Sequence, residues 1–173
     1  MNQKLIEQLT DYNPNTGIMV WKKRKADMFS KPSYMNSWNT RNAGNALTTM
    51  DGKGYFMCGC LGKIYRVHRL IWLKVYGEWP TIIDHVNGVR TDNRLINLRQ
   101  VTNQQNHMNQ RKSSKNTSGV TGVYFMNSSS LWCAQMKFNG KTYHLGSNKD
   151  KNTVILMRKN EEDRLGFSKR HGE

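Results

Sequence analysis

Acidic side chains are scarce in this sequence, and so are long apolar runs and cysteines. Its 173 residues hold 12 Asp plus Glu against 27 Lys plus Arg, a formal charge of +15. The imbalance is not confined to a tail: residues 1–106 carry 15 basic and 7 acidic side chains, and residues 107–173 carry 12 and 5. Such an excess along the whole chain points to a polyanionic partner, with nucleic acid the commonest. An anionic membrane surface, or solubility alone, is the plainer reading. No segment approaches the roughly 20 apolar residues of a membrane span. The N-terminal MNQKLIEQLTDY has a charge inside its short apolar stretch instead of a signal-peptide core. A soluble, cytoplasmic protein is the expectation. Three cysteines are an odd number and argue against a disulfide framework. Cys58 and Cys60 form C-G-C, not the C-x₂-C of a zinc knuckle, so reduced, half-buried thiols are expected.

The length allows one ordinary domain or two small ones. Residues 3–9 read as a short helix, followed by the turn signal Y-N-P-N-T-G and the strand-like I-M-V-W of 18–21. The polar stretch 26–50 has little periodicity and reads as an irregular loop. Strands are predicted over 54–60 and 63–67, joined at Leu61-Gly62 as a hairpin. The broad apolar face of 68–77 predicts a helix, with Gly77 as its stop and Pro80 beyond. A strand over 81–85, a turn-rich loop, and a second strand over 95–101 follow. Thr102 and Gln105 then form a T-x-x-Q capping box at the start of another helix. Residues 108–118 lack apolar pattern and read as a flexible basic linker. Three short β-type runs come next, split by N-S-S-S and N-G, and a charged helix runs from Lys149 to about Leu165.

The stretch D-H-V-N-G-V-R-T-D-N-R-L-I-N-L-R-Q-V-T-N-Q-Q-N, residues 84–106, concentrates the chemistry. Two strands and a helix can cluster Asp84, His85, Asn97 and Asn106. Phosphodiester hydrolysis requires a base for the attacking water and neutralisation of charge on the phosphorane and the leaving oxygen. A histidine titrating near neutrality suits the first task. The carboxylate of Asp84 and the amide oxygen of Asn106 are hard donors, which favour one Mg²⁺ or Mn²⁺ over Zn²⁺. His107, beside Asn106, is the alternative second ligand. Strand alternation would part Asp84 from His85 unless the strand ends there. His68 opens an apolar helix and reads as a structural histidine.

This stretch resembles the HNH nucleases of phages, in the subgroup reading D-H, then N-L-R, then a helix with a final Asn. Y-N-P-N-T-G-I-M-V-W-K-K-R, V-H-R-L-I-W and G-E-W-P extend the resemblance over roughly residues 10–108. It implies Asp84 and Asn106 as metal ligands and His85 as general base. In the middle position, Asn97 would accept a hydrogen bond from the imidazole and fix its tautomer. Lys22, Lys23, Arg24, Arg90, Arg94 and Arg99 are candidate phosphate contacts, as are Arg111, Lys112 and Lys115 of the linker.

The C-terminal elements S-G-V-x-G-V, W-x-A-Q, N-G-K and L-G resemble the DNA-binding domain of plant ethylene-response factors, the Apetala-two type. That family lays a three-stranded sheet in the major groove. Tyr124, Trp132, Gln135, Lys137, Lys141, Tyr143 and His144 are the candidate contacts, with Gln135 and Lys137, which share a parity on one strand, the foremost. The arginines of the plant family are absent from these strands, so a module that only adds phosphate affinity is the alternative.

The expected architecture is α+β: a small ββα-metal (HNH) nuclease module at 1–107, a linker at 108–118, and a three-stranded antiparallel sheet packed on one helix at 119–173. The expected activity is metal-dependent endonucleolytic cleavage of double-stranded DNA, by nicking, as in a phage homing endonuclease. A monomer without a protein partner follows from one site per chain. The rival is a non-catalytic DNA-binding regulator with a relic HNH centre.

Overall fold

The first element, α1 (Gln3–Leu9), begins at Asn2, whose side chain accepts the Leu5 amide, and it buries Ile6 and Leu9. In the computed structural model, which describes residues 1–172, α1 belongs to the first of two compact units, Met1–Val101 and Thr102–Glu173. β1 (Thr10–Asn13) and β2 (Ile18–Trp21) form an antiparallel hairpin with Thr10 opposite Trp21. The connection is fixed by Asn13, whose Oδ1 accepts the amides of Asn15 and Thr16, and by Gly17 at φ +76°.

The stretch expected as an irregular loop instead contains a 3₁₀ turn, Ala26–Met28, and an 11-residue helix, α2 (Pro32–Asn42). Pro32 starts it at a position where a missing N–H costs nothing. Tertiary contacts hold it. The Trp38 ring meets Trp21 edge-on at 5.8 Å, and the Arg24 guanidinium lies 3.8 Å from the Trp38 centroid. The Asn39 side chain accepts the Arg24 amide and donates to the Arg24 carbonyl.

β3 (Thr49–Met50), β4 (Phe56–Cys60) and β5 (Lys63–Arg66) form an antiparallel sheet in that order. Leu61 and Gly62, both at positive φ, make the tight turn that the dipeptide predicts. α3 (Val67–Tyr76) buries Val67, His68, Leu70, Ile71 and Leu73, and closes on Gly77 in the left-handed region, whose N–H bonds Leu73 O. Leu70, Ile71 and Leu73 join Ile6, Leu9, Met19, Trp21 and Leu98 in one core. Each fully buried aliphatic side chain there contributes roughly 1.5–3 kcal/mol.

β6 (Ile83–His85) pairs antiparallel with β7 (Leu98–Gln100), His85 opposite Leu98 and Asp84 opposite Arg99. The second strand starts at Leu98, not at Leu95. Leu95–Asn97 is a 3₁₀ turn, because the Leu95 amide bonds the Pro14 carbonyl of the β1–β2 turn and not a strand neighbour.

In the second unit, α4 (Asn103–Met108) begins with both halves of the predicted capping box: Thr102 accepts the Gln105 amide, and the Gln105 side chain accepts the Thr102 amide. Residues 108–118, expected as a flexible linker, are hydrogen-bonded within this unit. The Asn116 side chain bonds Val120 O and Gly119 N, and Met108 O and Gln110 O accept from Ser168 and Gly172. β8 (Val123–Met126), β9 (Leu131–Phe138) and β10 (Lys141–Asn148) form a sheet in the order β10-β9-β8. α5 (Lys151–Arg164), capped by Asp150, packs Val154 against Val123 and Ala134. Buried Arg158 of α5 pairs with Glu162 at 2.8 Å and donates to the Gln135 carbonyl. The expected three-stranded sheet on one helix is present, and the whole is α+β. Among the described residues, no helix is long and apolar enough to cross a membrane.

Candidate active site

Two buried polar residues side by side in sequence, Asp84 (9% exposed) and His85 (3%), end strand β6. A buried carboxylate and a buried imidazole each need partners, since an unsatisfied buried polar group costs about 1–3 kcal/mol. Asp84 finds one across the ribbon. Its Oδ2 accepts from Arg99 Nε at 3.0 Å and Nη2 at 2.8 Å, the register partner on β7. His85 Nε2 lies 3.1 Å from the Oδ1 of Asn93, a residue 1% exposed. Both residues lie within the paired strand, Asp84 opposite Arg99 and His85 opposite Leu98, and the loop begins at Val86.

Aromatic neighbours wall in the His85 ring. His68 meets it edge-on, with centroids 5.2 Å apart and planes at 84°. Tyr55 lies 5.1 Å from His68 and 5.9 Å from His85, and its own ring carries the guanidinium groups of Arg66 and Arg90 at 4.5 and 5.2 Å. Burial, the largest influence, pushes the His85 pKa below the usual histidine value, and its bond to Asn93 opposes this. His68 is driven further, to about 3, by burial and then by His85. Burial thus favours the neutral form of both rings, and His68 packs against His85.

The loop between β6 and β7 is braced from within. Asn97 Oδ1 accepts the Asn87 amide at 2.9 Å, and Asn97 Nδ2 donates to the Asp92 carbonyl at 2.7 Å. The Asp92 carboxylate chelates Arg94 and accepts from Asn87, which holds it at a pKa of about 2. Here the structure corrects the sequence reading. The bond to the imidazole expected of Asn97 is made by Asn93, and the Asn97 amide is engaged with the loop backbone. Asn93 was missed because T-D-N-R reads as turn chemistry; a neighbouring Asn-rich loop after D-H was the only local signal.

The arginines expected to grip phosphate are tied to protein groups: Arg90 to Lys53 O, Arg94 to Asp92, Arg99 to Asp84. Arg24 is half-buried between Trp21 and Trp38, with Nη2 on Cys60 Sγ, and its pKa is lowered first by burial. Lys22 pairs with Asp11 at 3.1 Å; Lys23 is exposed. Arg111, Lys112 and Lys115 are exposed, with Lys112 donating to Gly119 O.

In the second unit, Asn106 is half-buried and His107 exposed on α4, with His107 Nδ1 3.2 Å from Gln110 Oε1. Gln135 and Lys137 leave β9 on its exposed side. Their cross-strand partners are His144 and Thr142, whereas Tyr143 and Lys141 oppose Met136 and Phe138. Cross-strand partners share a face, so these expected contacts divide between two faces, and His144 joins Gln135 and Lys137. Both Cys58 and Cys60 have raised pKa values through burial, Cys58 to about 12.

Among the described residues, no group of three or more His, Cys, Asp and Glu could hold a metal ion. Asp84 offers a carboxylate in the first unit and Asn106 an amide oxygen in the second, both hard donors of the kind that suit Mg²⁺ or Mn²⁺.

Residues 65–108, from β5 to α4, match the HNH endonuclease family. Over 87 residues the chain is 29% identical to Protein 3.8 of Escherichia phage T7, a stretch covering 49% of this chain and 72% of that protein. No solved structure matches it.

Proposed function

We propose that this chain is a metal-dependent DNA endonuclease of the HNH type that hydrolyses phosphodiester bonds of double-stranded DNA by nicking. The observation that carries the reading is a buried His85, in contact with Asn93 and directly following Asp84, inside the stretch that matches HNH endonucleases. A neutral imidazole can take the proton of an attacking water. By their positions in the motif, Asp84 and Asn106 would hold one Mg²⁺ or Mn²⁺. When bound, that ion supplies Lewis-acid stabilisation of the charge on the phosphorane and the leaving oxygen. Asn97 keeps the loop in shape around these groups. The exposed side of the second unit's sheet, with Gln135, Lys137 and His144, extends the grip on DNA, in the manner of an Apetala-two-like module. Lys23, Arg111 and Lys115 add phosphate contacts.

The similarity to a phage protein fits a phage setting; a homing-type nuclease working as a monomer in the host cytoplasm is the proposed context. One observation favours the second reading, a non-catalytic DNA-binding protein: Arg99 already neutralises the Asp84 carboxylate. Relaxation of supercoiled plasmid in Mg²⁺, Mn²⁺ and EDTA, for wild type and His85→Ala, separates the two. Metal-dependent nicking lost in the variant is the expected result. DNA binding without nicking, on plasmid and on pooled phage-host genomic DNA, would establish the binding protein.

A further inference from the structure

We propose that Asn93 is the positioning residue for His85, fixing the neutral imidazole as the Nε2–H tautomer so that its lone pair lies on Nδ1; the catalytic consequence rests on the nuclease reading above. An amide oxygen can only accept, so the ring nitrogen facing Asn93 Oδ1 at 3.1 Å carries the hydrogen. In a neutral imidazole the other nitrogen is then the base.

Asn93 is built into the fold to a degree that a loop asparagine does not require. Its carbonyl accepts the Tyr12 hydroxyl at 2.8 Å, and its amide donates to Thr91 O. Gly17, at φ +76°, is pressed against it so closely that a Cβ there would stand 2.6 Å from the Asn93 carbonyl carbon and 2.5 Å from the Arg94 nitrogen. The next residue but one, Leu95, is held to Pro14 O. The β1–β2 hairpin thus clamps the Asn93 backbone from about 80 residues upstream, and the side chain has one direction to take.

The energetics point the same way. Asn93 Nδ2 is buried without a hydrogen-bond partner. An apolar side chain of the same volume would avoid that cost, so stability alone does not favour asparagine here. What the amide contributes is an acceptor aimed at His85, which accounts for an asparagine at a site where its donor goes unsatisfied.

The test is long-range ¹H–¹⁵N correlation NMR on the full chain at pH 8, with the His85 signals assigned by their loss in His85→Gln. Wild type is expected to show the Nε2–H pattern at His85. Asn93→Asp, which keeps an acceptor oxygen, is expected to retain it. Asn93→Leu is expected to lose it and to lower the single-turnover nicking rate about 10–100-fold while DNA affinity holds. An Nδ1–H pattern in wild type overturns the proposal, as does an unchanged pattern in a folded Asn93→Leu. Should Asn93→Leu not fold, Asn93→Asp decides: loss of the pattern there overturns it, and retention supports it. A wild type that never nicks DNA refutes the nuclease reading and leaves the tautomer result standing.

Discussion

Replacing Gly17 by alanine perturbs the clamp on Asn93 at one carbon atom. Two costs follow. The left-handed backbone at φ +76° costs a residue with a Cβ about 1–2 kcal/mol. The new Cβ would also stand 2.5 and 2.6 Å from backbone atoms of Arg94 and Asn93. Backbone cannot step aside as a flexible side chain can, and overpacking of this kind costs about 1–3 kcal/mol. The sum, about 2–5 kcal/mol, is a large part of the stability of a small domain. Gly54→Ala is the matched control, because Gly54 has φ +79° with nothing within 4 Å of its Cβ position; only the first cost applies there. Urea denaturation followed by tryptophan fluorescence reports chiefly on the first unit, which holds Trp21, Trp38, Trp72 and Trp79 against Trp132 in the second. With an overpacking cost of about 1–3 kcal/mol and a urea slope of about 1–3 kcal/mol/M, the Gly17 variant's midpoint should fall about 1 M below that of the Gly54 variant. Equal midpoints would refute the close approach.

Asn97→Ala removes both braces of the β6–β7 loop and should cost the first unit about 1–3 kcal/mol by urea denaturation; unchanged stability would contradict the hydrogen bonding described. His68, with its pKa lowered to about 3, is neutral in the fold and charged in the unfolded chain over the interval up to about 6.5. Stability should therefore fall as pH drops from about 6.5 toward 3, and a His68→Phe variant should show a shallower decline; the same slope in both would show that His68 is not the group responsible. Asp92, held at about 2, contributes stability above the unfolded value near 3.9 and loses it as pH falls toward 2. Asp92→Asn should flatten that acid limb, and an unchanged limb would refute the assignment. Native protein at pH 8 should react slowly with a thiol reagent at Cys58 and Cys60, whose thiols burial keeps protonated; prompt modification of both would show the first unit open at the β4–β5 hairpin.

Where local chemistry decides, the sequence was readable. The Leu61-Gly62 turn, the Gly77 stop and the Thr102–Gln105 capping box depend on residues within a few positions of each other, and each appears as predicted. The period-two pattern of β9 likewise told Gln135 and Lys137 from their buried neighbours. Helix α2 was hidden because P-S-Y-M-N-S-W-N-T-R-N contains poor helix formers and no apolar stripe; Trp38 packs on Trp21 and Arg24, contacts that a local window does not contain. The same limit separates Asn97 from Asn93. The resemblance pointed to the first, whereas the orientation of the second depends on Tyr12 and Gly17. Strand alternation alone could not divide Lys141 and Tyr143 from Lys137, since that depends on the pairing register.

The contacts from Tyr12, Pro14 and Gly17 to the loop after β6 also bear on how such a gene can be cut and shuffled. The stretch that matches the nuclease family begins at residue 65, yet the bonds that hold Asn93 and Leu95 in place originate fifty residues before it. A transplanted 65–108 segment would carry Asp84, His85 and Asn93 without the hairpin that holds the Asn93 and Leu95 backbone. Chain breaks that preserve the shape of this loop should fall ahead of residue 12, so the structural unit is longer than the matched one.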